Sequence, residues 1–227
     1  MDPQRAPGAI TTLFRSLLMV ALLSLASPAA ATTVFFDDFN SEPGSGAGGS
    51  GQSQLNYTGF ANWTVSGGTV DLIFHDDFAP AAGEIECIGS TGKCVDLDGG
   101  TNNAGVMTST SLLLAPGLYD LSFELAGVAS SFGQAAASVP NIVDFSVSST
   151  TLVGQATRNQ GDPYSSVGGQ FTLLAPTSVQ LVIANQGGDN FGAMLDDVKL
   201  VLVPEPHSFG LLAGGLLGLA LARRRRS

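Results

Sequence analysis

The sequence predicts an all-β protein: an antiparallel β-sandwich of the jelly-roll kind, with an N-terminal signal helix before it and a short C-terminal transmembrane helix after it. Three observations predict this. Short runs alternate apolar and polar residues with period two, as in "YDLSFEL" and "VDFSV". Clusters of Gly, Pro, Asn and Asp, such as "APG", "NQGDP" and "NQGGDN", separate those runs at short spacing. Longer apolar stretches lie near the two ends, each beside arginines.

The first segment, residues 1–31, has the layout of a secretory signal peptide. Arg5 and Arg15 precede the apolar run Leu17–Ala26, and small residues follow, with Ala29 and Ala31 as the A-x-A pair before a cleavage point. About 10 apolar residues fall short of the ~20 a spanning helix needs. The expectation is therefore export, with removal by signal peptidase.

Residues 32–203 are long enough for one domain with a sizeable core. Strand candidates follow one another along it: "TVFFDDF", "TVDLIF", "KCVDLD", "GVMTSTSLLL", "YDLSFEL", "VDFSV", "GGQFTLL", "SVQLVIA" and "MLDDVKLVLV". In "YDLSFEL" the residues Tyr119, Leu121, Phe123 and Leu125 share one parity, which marks a half-buried antiparallel strand. Nine or ten short strands at this spacing mean a sandwich. Residues 41–54, "SEPGSGAGGSGQSQ", have almost nothing to bury and read as a flexible loop.

Acidic residues outnumber basic ones 19 to 9, for a net charge of −10. Six of the basic residues lie in the end segments, leaving Lys93, Arg158 and Lys199 in the body. A surface this acidic repels phosphate backbones, so nucleic acid is excluded as a partner. Cys87 and Cys94, in "CIGSTGKC", predict a disulfide in an exported chain, because the intervening glycines can turn the chain back on itself. The alternative, a two-thiolate metal site, lacks a nearby Cys or His to complete it.

The last segment, residues 204–227, orders Pro204-Glu205-Pro206, an apolar run and Arg223–Arg226. A transmembrane helix is expected over 207–222. Its apolar core, Phe209–Ala222, rises about 21 Å, short of a hydrocarbon core of ~30 Å. Arginine stems can snorkel to extend that reach, and the positive-inside rule keeps Arg223, Arg224, Arg225 and Arg226 cytoplasmic with the body outside. This order closely resembles the PEP-CTERM sorting signal of Gram-negative bacteria. The resemblance implies an exosortase as partner, a membrane cysteine transpeptidase that would cut near Pro204-Glu205-Pro206. The protein would then pass transiently through the inner membrane to the cell surface or the extracellular space.

In the body, "NWTVSGGTVDLI", "CVDLDGGTNNAG", "PGLYDLSFELAG" and "MLDDVKL" resemble, in order, segments of galactose-binding-like jelly rolls, including carbohydrate-binding modules. That resemblance implies the same fold, and it admits an extracellular polysaccharide as a partner.

Candidate chemistry is sparse. His75 is the body's single histidine, no GxSxG turn is present, and carboxylate pairs are inevitable in so acidic a domain. No catalytic residue is assigned. In "MLDDVKLVL" Asp196 shares parity with Val198, Leu200 and Leu202, so it is expected to face the core. A buried carboxylate needs a partner. If the first and last strands adjoin, Asp37 or Asp38 comes near it, and converging oxygens suit a structural Ca²⁺. The resembled modules often hold Ca²⁺ at this junction; the other reading is a carboxylate bonded to backbone amides. Tyr57 and Trp63 flank the glycine-rich loop and are the candidate ligand-binding aromatics, with core packing as the competing reading for Trp63. The expected function is that of a non-enzymatic surface or matrix protein. A carbohydrate-binding module is the alternative and a glycoside hydrolase the third.

Overall fold

Strand alternation organises nearly everything in the computed structural model, which describes residues 30–43, 53–75, 77, 87–101, 103–128 and 140–204. The signal segment, most of the 41–54 loop and the chain beyond Pro204 lie outside the described residues. Thus the cleavage residue Ala29, Glu205, Pro206, the expected helix 207–222 and Arg223–Arg226 do too. Among the described residues no helix is long and apolar enough to cross a membrane.

Thirteen strands are described: β1 (Thr32–Asp37), β2 (Trp63–Ser66), β3 (Asp71–Phe74), β4 (Lys93–Asp96), β5 (Val106–Ser109), β6 (Leu112–Leu114), β7 (Gly117–Ala126), β8 (Asn141–Val147), β9 (Val153–Arg158), β10 (Ser165–Leu173), β11 (Thr177–Val179), β12 (Leu181–Asn185) and β13 (Met194–Val203). One sheet runs β10-β7-β13-β4-β3, with β1 also paired to β13. The other runs β2-β5-β12-β8-β9, and β6 with β11 forms a separate ribbon. The pairings between strands are antiparallel. Ala31–Val203 is one compact unit.

The two sheets bury a shared apolar core that takes the predicted faces of β7 and β8: Tyr119, Leu121, Phe123 and Leu125 from one, Val143, Phe145 and Val147 from the other. Phe123 meets Phe145 edge-on at 5.3 Å, across the sandwich. Such aromatic pairs add about 0.5–1.5 kcal/mol beyond area burial.

Two apolar runs that read as single strands are each broken in two. "GVMTSTSLLL" divides at Thr110–Ser111 and "SVQLVIA" at Gln180. At both points the chain crosses between the sheets, and the β6–β11 ribbon is the crossing. β2 and β9 are strands the alternation did not announce.

The disulfide between Cys87 and Cys94 is present, with Cα atoms 5.4 Å apart. It joins Ile73, Ala126 and Met194 in a smaller apolar cluster, against which Tyr164 packs.

Candidate functional site

Asp37 is the first residue to settle. Strand β1 points Phe35 and Asp37 inward, and the Asp37 carboxylate is fully engaged. Its Oδ1 accepts from the Phe39 amide at 2.9 Å. Its Oδ2 accepts from Trp63 Nε1 at 2.9 Å and from Asn62 Nδ2 at 3.1 Å. Three donors satisfy this carboxylate from within the fold.

For Trp63 the core-packing reading holds, and Tyr57, expected to be reachable, is buried beside it. Trp63 is 3% exposed and Tyr57 is 4% exposed. The indole packs edge-on to Phe35 at 5.7 Å, and Tyr57 packs edge-on to Phe60 at 4.6 Å. The Tyr57 hydroxyl donates to Glu42 Oε2 at 3.2 Å, and Glu42 Oε1 accepts from the Ala61 amide at 2.9 Å. Burial, and then the Glu42 charge, push the Tyr57 phenol up. Both aromatics hold the core together with buried carboxylates satisfying their polar atoms, as buried polar groups require.

Asp196 is buried as expected, but on the opposite face. The β13–β7 register jumps between Asp196, opposite Glu124, and Lys199, opposite Ser122. Asp197 takes the left-handed conformation there, with φ +49. This β-bulge adds one residue and inverts the parity. Leu195, Val198 and Leu200 therefore line the main core, while Met194 belongs to the smaller cluster on the other side. Asp196 shares the Met194 side. Its Oδ2 accepts from the Ile88 amide at 3.1 Å and its Oδ1 from the Asp197 amide at 2.8 Å.

Asp38 is also felt there, because its charge helps raise Asp196. Burial is the larger cause, Asp197 adds to it, and the carboxyl is pushed up to about 7. Beside these acids the hydroxyl of Tyr164 is buried without a hydrogen-bond partner. Burial and then Asp196, Asp96 and Asp197 drive that phenol up. Among the described residues no three His, Cys, Asp or Glu side chains are grouped to hold a metal ion.

Sequence reasoning missed further buried acids besides Glu42, among them Asp71, Asp96 and Asp98. Their signal was present: acids stand among apolar residues in "TVDLIF", which holds Asp71, and in "CVDLD", which holds Asp96 and Asp98. Each organises a loop through backbone amides. Asp71 Oδ1 accepts from Asn56 and Gly100, at 2.6 and 3.1 Å. Asp96 Oδ1 accepts from Asp98 and Gly192, at 2.9 and 2.8 Å. Asp98 Oδ2 accepts from Gly188 and Asp189, at 2.6 and 3.2 Å. Burial raises all three carboxyls.

The end of β13 is the remaining feature. Val203 pairs with Leu118 of β7, and Leu202 pairs with Tyr119 on that side and Thr32 of β1 on the other. Sheet pairing thus reaches Thr32, one residue after Ala31, and Val203, one residue before Pro204.

Residues 202–226 match the family described as the PEP-CTERM protein-sorting motif. No curated protein matches the chain. Among solved structures, the CBM22-1 xylan-binding domain from Paenibacillus barcinonensis Xyn10C aligns at 14% identity, covering 79% of this chain and 100% of that one, with a TM-score of 0.43. The carbohydrate-binding module CBM6cm-2 from Cellvibrio mixtus lichenase 5A, in complex with cellotriose, aligns at 15% identity over 59% and 97% of the two chains, with a TM-score of 0.33. The C-terminal CBM6 of LamC from Zobellia galactanivorans aligns at 13% identity over 58% and 98%, with a TM-score of 0.35.

Proposed function

We propose that this chain is an exported, non-enzymatic β-sandwich protein, delivered to the cell surface or extracellular matrix by a C-terminal sorting signal that an exosortase removes. The observation that carries the reading is the sorting motif matched at 202–226, which begins on the last two residues of a strand that ends at Val203. A cut at Pro204-Glu205-Pro206 removes no strand residue, so the body keeps its ladder on both sides of β13. The same holds at the front, where signal peptidase acting after Ala31 leaves β1 whole. Mass spectrometry of the surface protein tests this. A mature chain starting near Thr32 and ending near Val203 is expected; one that still carries "GLLAGGLLGLALARRRR" overturns it.

A polysaccharide partner would have to be met without Trp63 and Tyr57, since both are core residues. For a hydrolase, two carboxylates must face one another across a cleft. Each of two shallow cavities of about 270 Å³ offers one acid, Asp189 in the first and Asp120 in the second.

A structural Ca²⁺ belongs to the same proposal, at Asp196 with Asp38 ahead of Asp37, whose carboxylate is already held by three donors. The Asp38 charge is felt at Asp196, so the two carboxylates repel each other. Each Asp196 oxygen has taken a single donor, which leaves acceptor capacity for a hard cation completed by backbone and water oxygens.

A further inference from the structure

The three most exposed large apolar side chains in the described residues are Leu174 at 92%, Leu113 at 79% and Val153 at 77%. One exposed leucine needs no explanation. These three stand at the same end of the sandwich, and it is the end from which β13 leads into the tail. The register fixes this. Leu173 is opposite Gly117, the next residue, Leu118, is opposite Val203, and Thr32 is opposite Leu202. Leu113 lies opposite Ser178 in the β6–β11 ribbon that joins the sheets at this end. The β8–β9 turn arrives there too, because Val147 pairs with Leu181, the first residue of β12 after that ribbon. Val153 opens β9 directly after the turn.

Two details show that the leucines are turned out by the fold. Leu113 sits between Leu112 and the buried Leu114, so strand alternation points it away from the core. Leu174 follows the buried Leu173. The same four residues recur at both places: Leu113-Leu114-Ala115-Pro116 and Leu173-Leu174-Ala175-Pro176. Each run buries one leucine and presents the other.

Charge is segregated in step. The segments that build this end, 31–36, 109–117, 147–153, 173–180 and 202–204, contain no Asp, Glu, Lys, Arg or His. The acids collect at the other end, where Asp96 faces Met194 and Asp71 faces Asp96. In so acidic a chain, an end whose segments carry no charge, with apolar tips and many hydroxyls, is suited to a lipid surface, where apolar side chains leave water and none of those segments has a carboxylate to desolvate.

We propose that this end is a membrane-facing surface, with Leu113, Val153 and Leu174 seated in the outer leaflet while the tail occupies the bilayer. The inference rests on the reading of the tail as membrane-inserted before processing. Only five residues, Pro204–Ser208, separate β13 from the apolar run, and they reach at most about 17 Å when extended. Seating the tips keeps Val203, the end of β13, beside the membrane and the expected cut within reach of a membrane-embedded protease.

The test uses the full chain reconstituted in vesicles of phosphatidylethanolamine and phosphatidylglycerol that carry headgroup nitroxide lipids. Cys87 and Cys94 are bonded, so a fluorophore can be placed singly at T151C in the β8–β9 turn, or at D189C as the far-end control. Co-flotation is expected, with the probe at 151 quenched several-fold more strongly than the probe at 189. The triple variant L113S/V153S/L174S should still co-float but lose that difference. Co-flotation with equal quenching at the two positions overturns the membrane-facing end alone. Failure to co-float overturns the inserted tail and the inference with it. If the triple variant keeps the difference, the three tips are not what seats the domain.

Discussion

Trp63 and Asp37 join the two sheets of the sandwich through a hydrogen bond that lies inside the core. Trp63 opens β2 of the five-stranded sheet, Asp37 closes β1 of the other, and 2.9 Å separates Nε1 from Oδ2. Asp37→Ala leaves the indole N–H, the Asn62 amide and the Phe39 N–H short of an acceptor. It is expected to lower unfolding stability by about 2–3 kcal/mol, the scale of lost charge-assisted hydrogen bonds. Chemical denaturation measures this; a loss below about 0.5 kcal/mol, the range of neutral surface changes, would show that the bond is idle.

Reduction of the Cys87–Cys94 bond should destabilise the domain. The closed loop is short, so chain entropy sets the loss at about 2–3 kcal/mol. Mass analysis without reductant should find the exported protein two hydrogens lighter than its reduced form. Two alkylatable thiols in the native protein would contradict the pairing.

The carboxyl of Asp196, pushed up to about 7, predicts a pH dependence with a definite sign. Its folded pKa lies above the unfolded value, so the folded state holds its proton more tightly. That contribution is complete below about pH 4, and it fades as pH rises toward 7. Stability should therefore fall across this window, and Asp196→Asn should flatten the slope. If Ca²⁺ binds at Asp38 and Asp196, adding it at pH 7.5 should raise the melting temperature of the wild type and not of the variant. An unflattened slope in Asp196→Asn sinks the titration argument, and an indifferent melting temperature sinks the cation.

Replacing Pro204-Glu205-Pro206 by alanines should leave membrane insertion intact and trap the full-length protein in the inner membrane. Proline disfavours helix at the preceding residue, so an extended segment open to a protease is the expectation that this variant tests. Replacing Arg223–Arg226 should act differently, weakening orientation and retention. Fractionation and immunoblotting separate the two outcomes; normal processing of the alanine variant would dismiss the motif as the cut site.

How much of this was legible depends on how far apart the deciding residues are. β7 and β8 could be read directly, because alternation is a local property and both strands keep it over their length. β9, "VGQATR", has a weak apolar face and could not be told from a loop. Asp196 shows a harder limit. Alternation found that it is buried but assigned the wrong face, because Asp197 inserts one extra residue into the ladder. Trp63 shows the third kind. Its burial depends on an acid 26 residues away. Proximity to a glycine-rich loop suggested access, and only the tertiary pairing reveals that the indole N–H is already satisfied.

The position of β13 also decides how the domain bears load. Whenever the tail holds the protein and drag acts on the body, force enters at Val203 and runs along the strand. β13 is interior, bonded to β7 on one side and to β1 and β4 on the other. Antiparallel ladder bonds lie perpendicular to the strand, so this pull shears many of them at once and cannot peel them singly. A domain hung from an edge strand would unzip from its point of attachment. Hung from β13, it yields only when both flanking ladders slip together.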